Sequence, residues 1–155
     1  MIVVDNTENV IKSKVEKLGV MLEKLGSTPV SARVFAYLLI SDPPERTFDD
    51  IVSFLSVSKS SVSVVLKTLQ AESNVLYKTY SGDRKKYFMI NTDGWMNNFK
   101  ESAKNLSAFN VLLDDVDEHR KGFDSKEFNA DIKSLLSFQT HFTEQIDKAI
   151  KRYKG

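Results

Sequence analysis

Between Ser58 and Lys67 the chain gathers short hydroxyls and ammonium groups: Ser58, Lys59, Ser60, Ser61, Ser63 and Lys67. Serine hydroxyls both donate and accept, and lysine carries a fixed positive charge, so these side chains can meet phosphates and base edges together. A second cluster, Arg84-Lys85-Lys86, follows the turn-forming Ser81-Gly82-Asp83. The remaining candidates are weaker. The two histidines, His119 and His141, stand apart, and Asp114, Asp115, Asp117, Glu118 and His119 lack HExxH or comparable ligand spacing, so they read as a solvated helix face and not a metal site. There is no cysteine, hence no disulfide, thiolate nucleophile or cysteine-bound metal. A nucleophile elbow, a P-loop and a Rossmann glycine pattern are all missing, so neither an enzyme nor a cofactor is expected. Asn105-Leu106-Ser107 matches a glycosylation sequon but lies within a helical stretch, where it is a chance match.

The hydroxyl and lysine cluster needs a helix to present it. In Thr47 to Leu69, Phe48, Ile51, Val52 and Leu55 fall at i, i+3, i+4 and i+7, one apolar stripe of a short helix. Thr47 and Asp50 have the spacing of an N-cap and its partner, Ser56-Val57 makes a turn, and Ser58 caps a second helix. That helix hides Val62, Val65, Leu66 and Leu69 and turns Lys59, Ser60, Ser63 and Lys67 outward. A major groove admits one such helix, yet an ordinary amphipathic pair fits the same pattern, and on this stretch alone the two readings stand level.

The flanking segments supply more. Asp5 and Glu8 have capping-box spacing. Ile11, Val15, Leu18, Leu22 and Leu25 form a heptad-like seam, interrupted by Gly19 and closed by Gly26. Thr28-Pro29 restarts a helix that Ser41-Asp42-Pro43-Pro44 ends. Asn74 is expected to take the left-handed conformation that stops the second helix of the pair. Val75 to Tyr80 and Lys86 to Ile90 alternate as the strands of a β-hairpin with a basic tip.

Charge is sorted by region. Net charge is +1, but Val57 to Ile90 holds six basic and two acidic residues, a net +4 that leaves −3 for the remainder. Local concentration of positive charge is what nucleic-acid binding requires. Apolar runs such as Val34 to Ile40 are too short to span a membrane, and MIVVDNTENV lacks the form of a signal peptide, so a cytoplasmic protein is expected.

The last third is helical. Phe99, Leu106 and Leu113, with Ala103, Phe109 and Val116, recur at about heptad period. His119-Arg120-Lys121-Gly122 is a basic helix end, and Asp124 with Glu127 has capping-box spacing. The final helix carries Phe128, Leu135, Phe142 and Ala149, with Ile132, Ile146 and Tyr153, in two sevenfold rows. This apolar surface exceeds what a small core covers and argues for a dimer or an intramolecular hairpin. The dimer is favoured, built from the first and the last two helices, with Leu18, Leu22, Leu135, Phe142 and Ile146 in the contact.

The order helix, helix, helix-turn-helix, basic hairpin, long helices resembles the MarR superfamily of winged-helix regulators, and more narrowly its GbsR-like branch. The resemblance is carried by Pro29 to Val34, Leu38 to Pro44, Phe48 to Ile51, Val57 to Ser63 and Gly82 to Tyr87. Ala71 to Asn74 departs from the glycine-containing turn usual there. The implied fold is mainly α with a small β-hairpin wing. It comprises an N-terminal dimerisation helix (1–26), a winged helix-turn-helix domain (27–92) and long dimerisation helices (93–155). The implied function is a dimeric regulator, a repressor on an inverted-repeat operator of double-stranded DNA. Ser58, Ser60, Ser61 and the helix N-terminus would meet phosphates and base edges, with Lys59, Ser63 and Lys67 facing the major groove. Arg84, oriented by Asp83, would enter the minor groove, and Lys85 and Lys86 would hold phosphates. The resemblance also implies a small effector, for which Tyr37, Trp95, Phe99 and Phe109 could form an aromatic cage suited to a quaternary ammonium. Helical spacing favours packed core for these rings. The rival function is a winged-helix protein-interaction module that does not touch DNA.

Overall fold

The computed structural model describes residues 2–153, with side chains from Glu8 onward. The elements are α1 (Ile2–Lys24), α2 (Pro29–Ile40), β1 (Arg46–Thr47), α3 (Phe48–Leu55), α4 (Lys59–Ala71), β2 (Val75–Lys78), β3 (Tyr87–Ile90), α5 (Thr92–Arg120) and α6 (Lys126–Arg152). The chain divides into two compact units, Met1–Trp95 and Met96–Gly155, so the boundary falls inside α5.

In the first unit, α1 lies along α2. Its helix already runs at Ile2, so Asp5 is inside it and not at its cap; the Asp5 side chain lies outside the described residues. Val15 is buried, and Ile11, Leu18 and Leu22 pack against the same core, whereas Leu25 is exposed. The seam is therefore spent on the chain's own α2. Arg33 of α2 pairs with Glu16 and Glu23 of α1 and donates to the Pro29 carbonyl at 2.9 Å. Its stem crosses Gly19, where a Cβ would meet Arg33 Cγ at 3.0 Å, so the glycine permits the crossing. At the end of α1, Gly26 sits at φ 101°. Ser27 N–H reaches Leu22 O and Gly26 N–H reaches Glu23 O, a Schellman closure that leaves those carbonyls satisfied.

The core proper is Val34, Phe35, Ala36 and Leu38 of α2, Ile51 of α3, Val62, Val65, Leu66 and Leu69 of α4, and Val75 and Phe88 of the sheet. The sheet has the order β1-β3-β2. β2 and β3 pair antiparallel from Val75–Ile90 to Lys78–Tyr87, and the two-residue β1 adds Arg46–Phe88 and Thr47–Tyr87. Sequence patterning misses β1 because two residues have no periodicity to detect. The stop of α4 falls one residue earlier than expected: Ser73, at φ 58°, is the left-handed residue, with Asn74 N–H reaching Leu69 O and Ser73 N–H reaching Gln70 O. Ser73 carbonyl oxygen also closes over Gly94 at the start of α5, where a Cβ would lie 1.9 Å away. A glycine is needed there.

The second unit is an antiparallel pair, α5 and α6. Asn129 clasps the turn: its amide donates to the carbonyls of Arg120 (3.0 Å) and Phe123 (3.1 Å), and its oxygen accepts from Arg120 Nε at 2.9 Å. The expected Asp124–Glu127 capping box does not form; Ser125 is the N-cap residue, with no side-chain cap bond. α5 does end at the expected basic segment, at Arg120, although among the described glycines only Gly26 and Gly82 are left-handed. Across the pair, Asn110 Nδ2 donates to Thr143 Oγ1 at 3.1 Å, with both residues buried. Ala103 and Leu113 share that covered face of α5, whereas Phe99, Phe109 and Val116 of the expected rows are exposed. In α6, Ile132, Leu136, Ile146 and Ile150 are half-covered in the row that holds Thr143, and Phe128, Leu135, Phe138 and Phe142 are exposed.

Candidate nucleic-acid interface

Helix α3 is started by a capping box. Thr47 Oγ1 accepts from Asp50 N–H at 3.2 Å, and Asp50 Oδ2 accepts from Thr47 N–H (2.9 Å) and from the Thr47 hydroxyl (2.7 Å). Those bonds, the hydroxyl's first, together with nearby Arg46 and Lys85, hold the Asp50 carboxyl below the ordinary aspartate value of 3.8. Ser56 closes α3 in the left-handed region, at φ 53°. The chain then turns through Val57 into α4.

Ser58 caps α4 by accepting from Ser61 N–H at 3.1 Å, and its hydroxyl also meets Ser60 Oγ at 3.0 Å and Ser61 Oγ at 2.8 Å. The cap residue is thus engaged within the helix start, and Ser61 beside it is half-buried. Val62, Val65, Leu66 and Leu69 are buried, as their spacing predicts. Lys59, Ser60 and Lys67 are exposed, and Ser63 is half-buried at the edge of that face. Lys59 Nζ lies 3.8 Å from Asp49 Oδ1, an open pair with both side chains largely exposed. Val64 stands in the same face, 64% exposed. Polarity-based selection passes over it, although Ser60, Val64 and Lys67 are spaced i, i+4, i+7.

The wing is organised by hydrogen bonds more than by apolar packing. Gly82, at φ 82°, makes the tip. Asp83 does not orient Arg84: its Oδ1 accepts from Lys85 N–H at 2.9 Å and its Oδ2 from the Tyr87 hydroxyl at 2.6 Å. The Tyr87 hydroxyl, then the Lys85 amide, lower the Asp83 carboxyl, and the Tyr87 phenol is raised in return. Tyr87 packs edge-on against Tyr80, with ring centroids 5.1 Å apart. The Tyr80 hydroxyl donates to Glu45 ahead of β1, and Lys78 reaches the same carboxylate at 3.3 Å. Glu45 is lowered by Tyr80 first and Lys78 second. A chain of contacts therefore runs from Glu45 to the wing tip. Arg84 and Lys85 are exposed beyond it. Lys86 is exposed too, and its Nζ lies 4.1 Å from the Tyr77 ring centroid.

The four aromatic effector candidates are not brought into one cage. Tyr37 is buried and stacked on Phe54 at 4.0 Å, as core packing predicts. Phe99 and Phe109 are exposed on α5, ten residues or about 15 Å apart along the helix. Trp95, edge-on to Phe35 at 5.3 Å, lines a cavity of about 460 Å³ in the first unit. Leu22, Phe35, Val65 and Leu69 form its apolar side, and Thr28 and Thr68 lie on its polar side. Among the described residues no group of three or more His, Asp or Glu could hold a metal ion. No single helix is long and apolar enough to cross a membrane.

Two helices, α1 and α2, packed with the helix-turn-helix α3–α4 and a three-stranded sheet that carries the β2–β3 wing define a winged helix-turn-helix fold. A crystal structure described as a transcriptional regulator shares it, with a TM-score of 0.63 at 19% identity over 92% of this chain and 97% of that one. In sequence, the chain is 22% identical over 100 residues to the HTH-type transcriptional regulator MmpR5 of Mycobacterium tuberculosis, a match spanning 64% of this chain and 61% of that protein. MepR, a transcription regulator of the Staphylococcus aureus multidrug efflux pump MepA, superposes at a TM-score of only 0.43 with 20% identity over 89% of this chain and 93% of its own, too loosely to carry an argument. No protein-family model matches the chain.

Proposed function

We propose that this chain is a sequence-specific, double-stranded DNA-binding transcriptional regulator of the MarR type, a cytoplasmic homodimer that represses from an inverted-repeat operator. The observation that carries it is the pairing, within one winged unit, of an outward helix face holding Lys59, Ser60, Ser63 and Lys67 with an exposed basic wing tip at Arg84 and Lys85. The fold shared with a transcriptional regulator and the similarity to MmpR5 support the same reading. The GbsR-like branch is the finer assignment, supported by the residues from α2 to the wing that carry the resemblance. Exposed Leu135, Phe138 and Phe142 of α6, with Val20 and Met21 of α1, supply apolar surface for the dimer. Leu18, Leu22 and Ile146 are half-covered within the chain and would contribute only at its margin. Effector control would act at the cavity beside Trp95.

The test is duplex affinity across a salt series. Affinity should fall steeply with salt, and Arg84→Ala or Lys59→Ala should reduce the log–log slope by about 1 for each phosphate left without its cation. If no duplex, its own promoter region included, binds above background at low salt, the reading fails. A protein partner retained under charge reversal at Arg84 and Lys85 would then favour the interaction module.

A further inference from the structure

We infer that Val64 is a specificity residue that reads a thymine methyl group in the major groove. This rests on the DNA-binding reading and adds to it a base identity. On α4 the buried row is Val62, Leu66 and Leu69, spaced i, i+4, i+7. Ser60, Val64, Lys67 and Ala71 repeat that spacing two residues earlier, which on a 3.6-residue helix places them nearly opposite the core. Val64 therefore lies on the flank of the outward face, beside Ser60 and Lys67, and it is 64% exposed there. Val62, Val65, Leu66 and Leu69 already supply the α4 side of the core, so the hydrophobic effect within the unit does not require an apolar side chain at Val64.

The chemistry of the neighbours narrows the partner. Lys67 can donate, and the serines can donate or accept, hydrogen bonds at phosphates and base edges, and Val64 can do neither. The one apolar group that a base pair offers in the major groove is the C5-methyl of thymine. Valine suits it because its β-branch holds two methyl groups in a nearly fixed rotamer, so little side-chain freedom is lost on contact. Val64 also stands at the rim of the 460 Å³ cavity, which gives the competing role of a wall residue that never meets DNA.

The experiment uses the full chain and the duplex it selects from a random pool. Each thymine of the selected site is replaced singly by deoxyuridine, which removes only the methyl group. For the unaltered protein, one thymine in each half-site should lose about fourfold in affinity, the effect of one buried methyl group. Val64→Ala should bind the thymine duplex more weakly by a similar factor and be insensitive to deoxyuridine at that position alone. Val64→Thr, which keeps one methyl group, should fall between. Unchanged deoxyuridine sensitivity in Val64→Ala, or no sensitive thymine at all, overturns the inference and leaves DNA binding standing. Failure to enrich any duplex sinks the DNA-binding reading itself.

Discussion

The winged unit and the helical hairpin use their apolar residues in opposite ways. The winged unit turns its stripes inward: Leu38, Ile51, Val62 and Val75 are all but inaccessible, and even the α1 seam is absorbed against α2. The hairpin puts Asn110 and Thr143 inside and leaves Phe99, Phe109, Phe138 and Phe142 outside. Among the described residues, the buried Asn110 Oδ1 and Gln139 Oε1 find no hydrogen-bond partner, so the hairpin seam mixes apolar residues with polar groups that are incompletely satisfied. A unit that closes its own core can fold alone. A helix pair with its phenylalanines exposed gains most of its hydrophobic stabilisation from something that covers them.

That contrast can be broken by experiment. The largest effect is expected from Leu135→Glu combined with Phe142→Glu, which should turn the proposed dimer into monomers in sedimentation while the winged unit keeps its fold. An unchanged dimer would move the interface elsewhere, to α1 or to the covered row of α6. Next, Leu38→Ala, at a site 1% exposed, should cost about 2–5 kcal/mol, read from denaturant unfolding. Its cost should not vary with protein concentration, whereas that of Phe138→Ala should, because a partner's contribution follows mass action. If both costs are equally independent of concentration, the two units do not differ in this way.

The smallest effect sharpens the winged side. Thr47→Ala removes the α3 cap and should cost about 1 kcal/mol. Asp50 is depressed in the folded state, so the stability it contributes is present above the ordinary aspartate value of 3.8 and is lost as pH falls through its lower folded value. Acid titration should therefore destabilise the native protein more than Asp50→Asn over that window. Parallel acid curves would show that the carboxylate contributes nothing through the cap.

Much of the winged unit is legible in the sequence because its signals are local. Thr47–Asp50, Ser58, Gly26, Gly82 and the stripe of α4 each act within one or two turns of helix or one hairpin, and the structure carries all of them. The misreadings share one cause. Sequence pattern puts the left-handed residue at Asn74 where the structure has Ser73, and puts Asp83 on Arg84 where Tyr87 and the Lys85 amide hold it. In both, several neighbouring polar groups could serve, and residue type does not say which of them makes the bond. The hairpin shows a related limit: of the rows that hydrophobicity selects on α5, Ala103 and Leu113 are buried but Phe99, Phe109 and Val116 are not, and the seam adds Asn110 and Thr143, which reading by hydrophobicity passes over.

By itself, then, the chain's order of caps, stripes and turns determined the helix-turn-helix, the hairpin wing and the regional separation of charge, since each depends on residues close in sequence. Tertiary structure alone decided that β1 joins the sheet, that Gly94 must be a glycine beneath Ser73, and that Glu45 reaches the wing through Tyr80. Those outcomes depend on which surfaces meet once the elements pack, and packing compares residues that the sequence holds far apart.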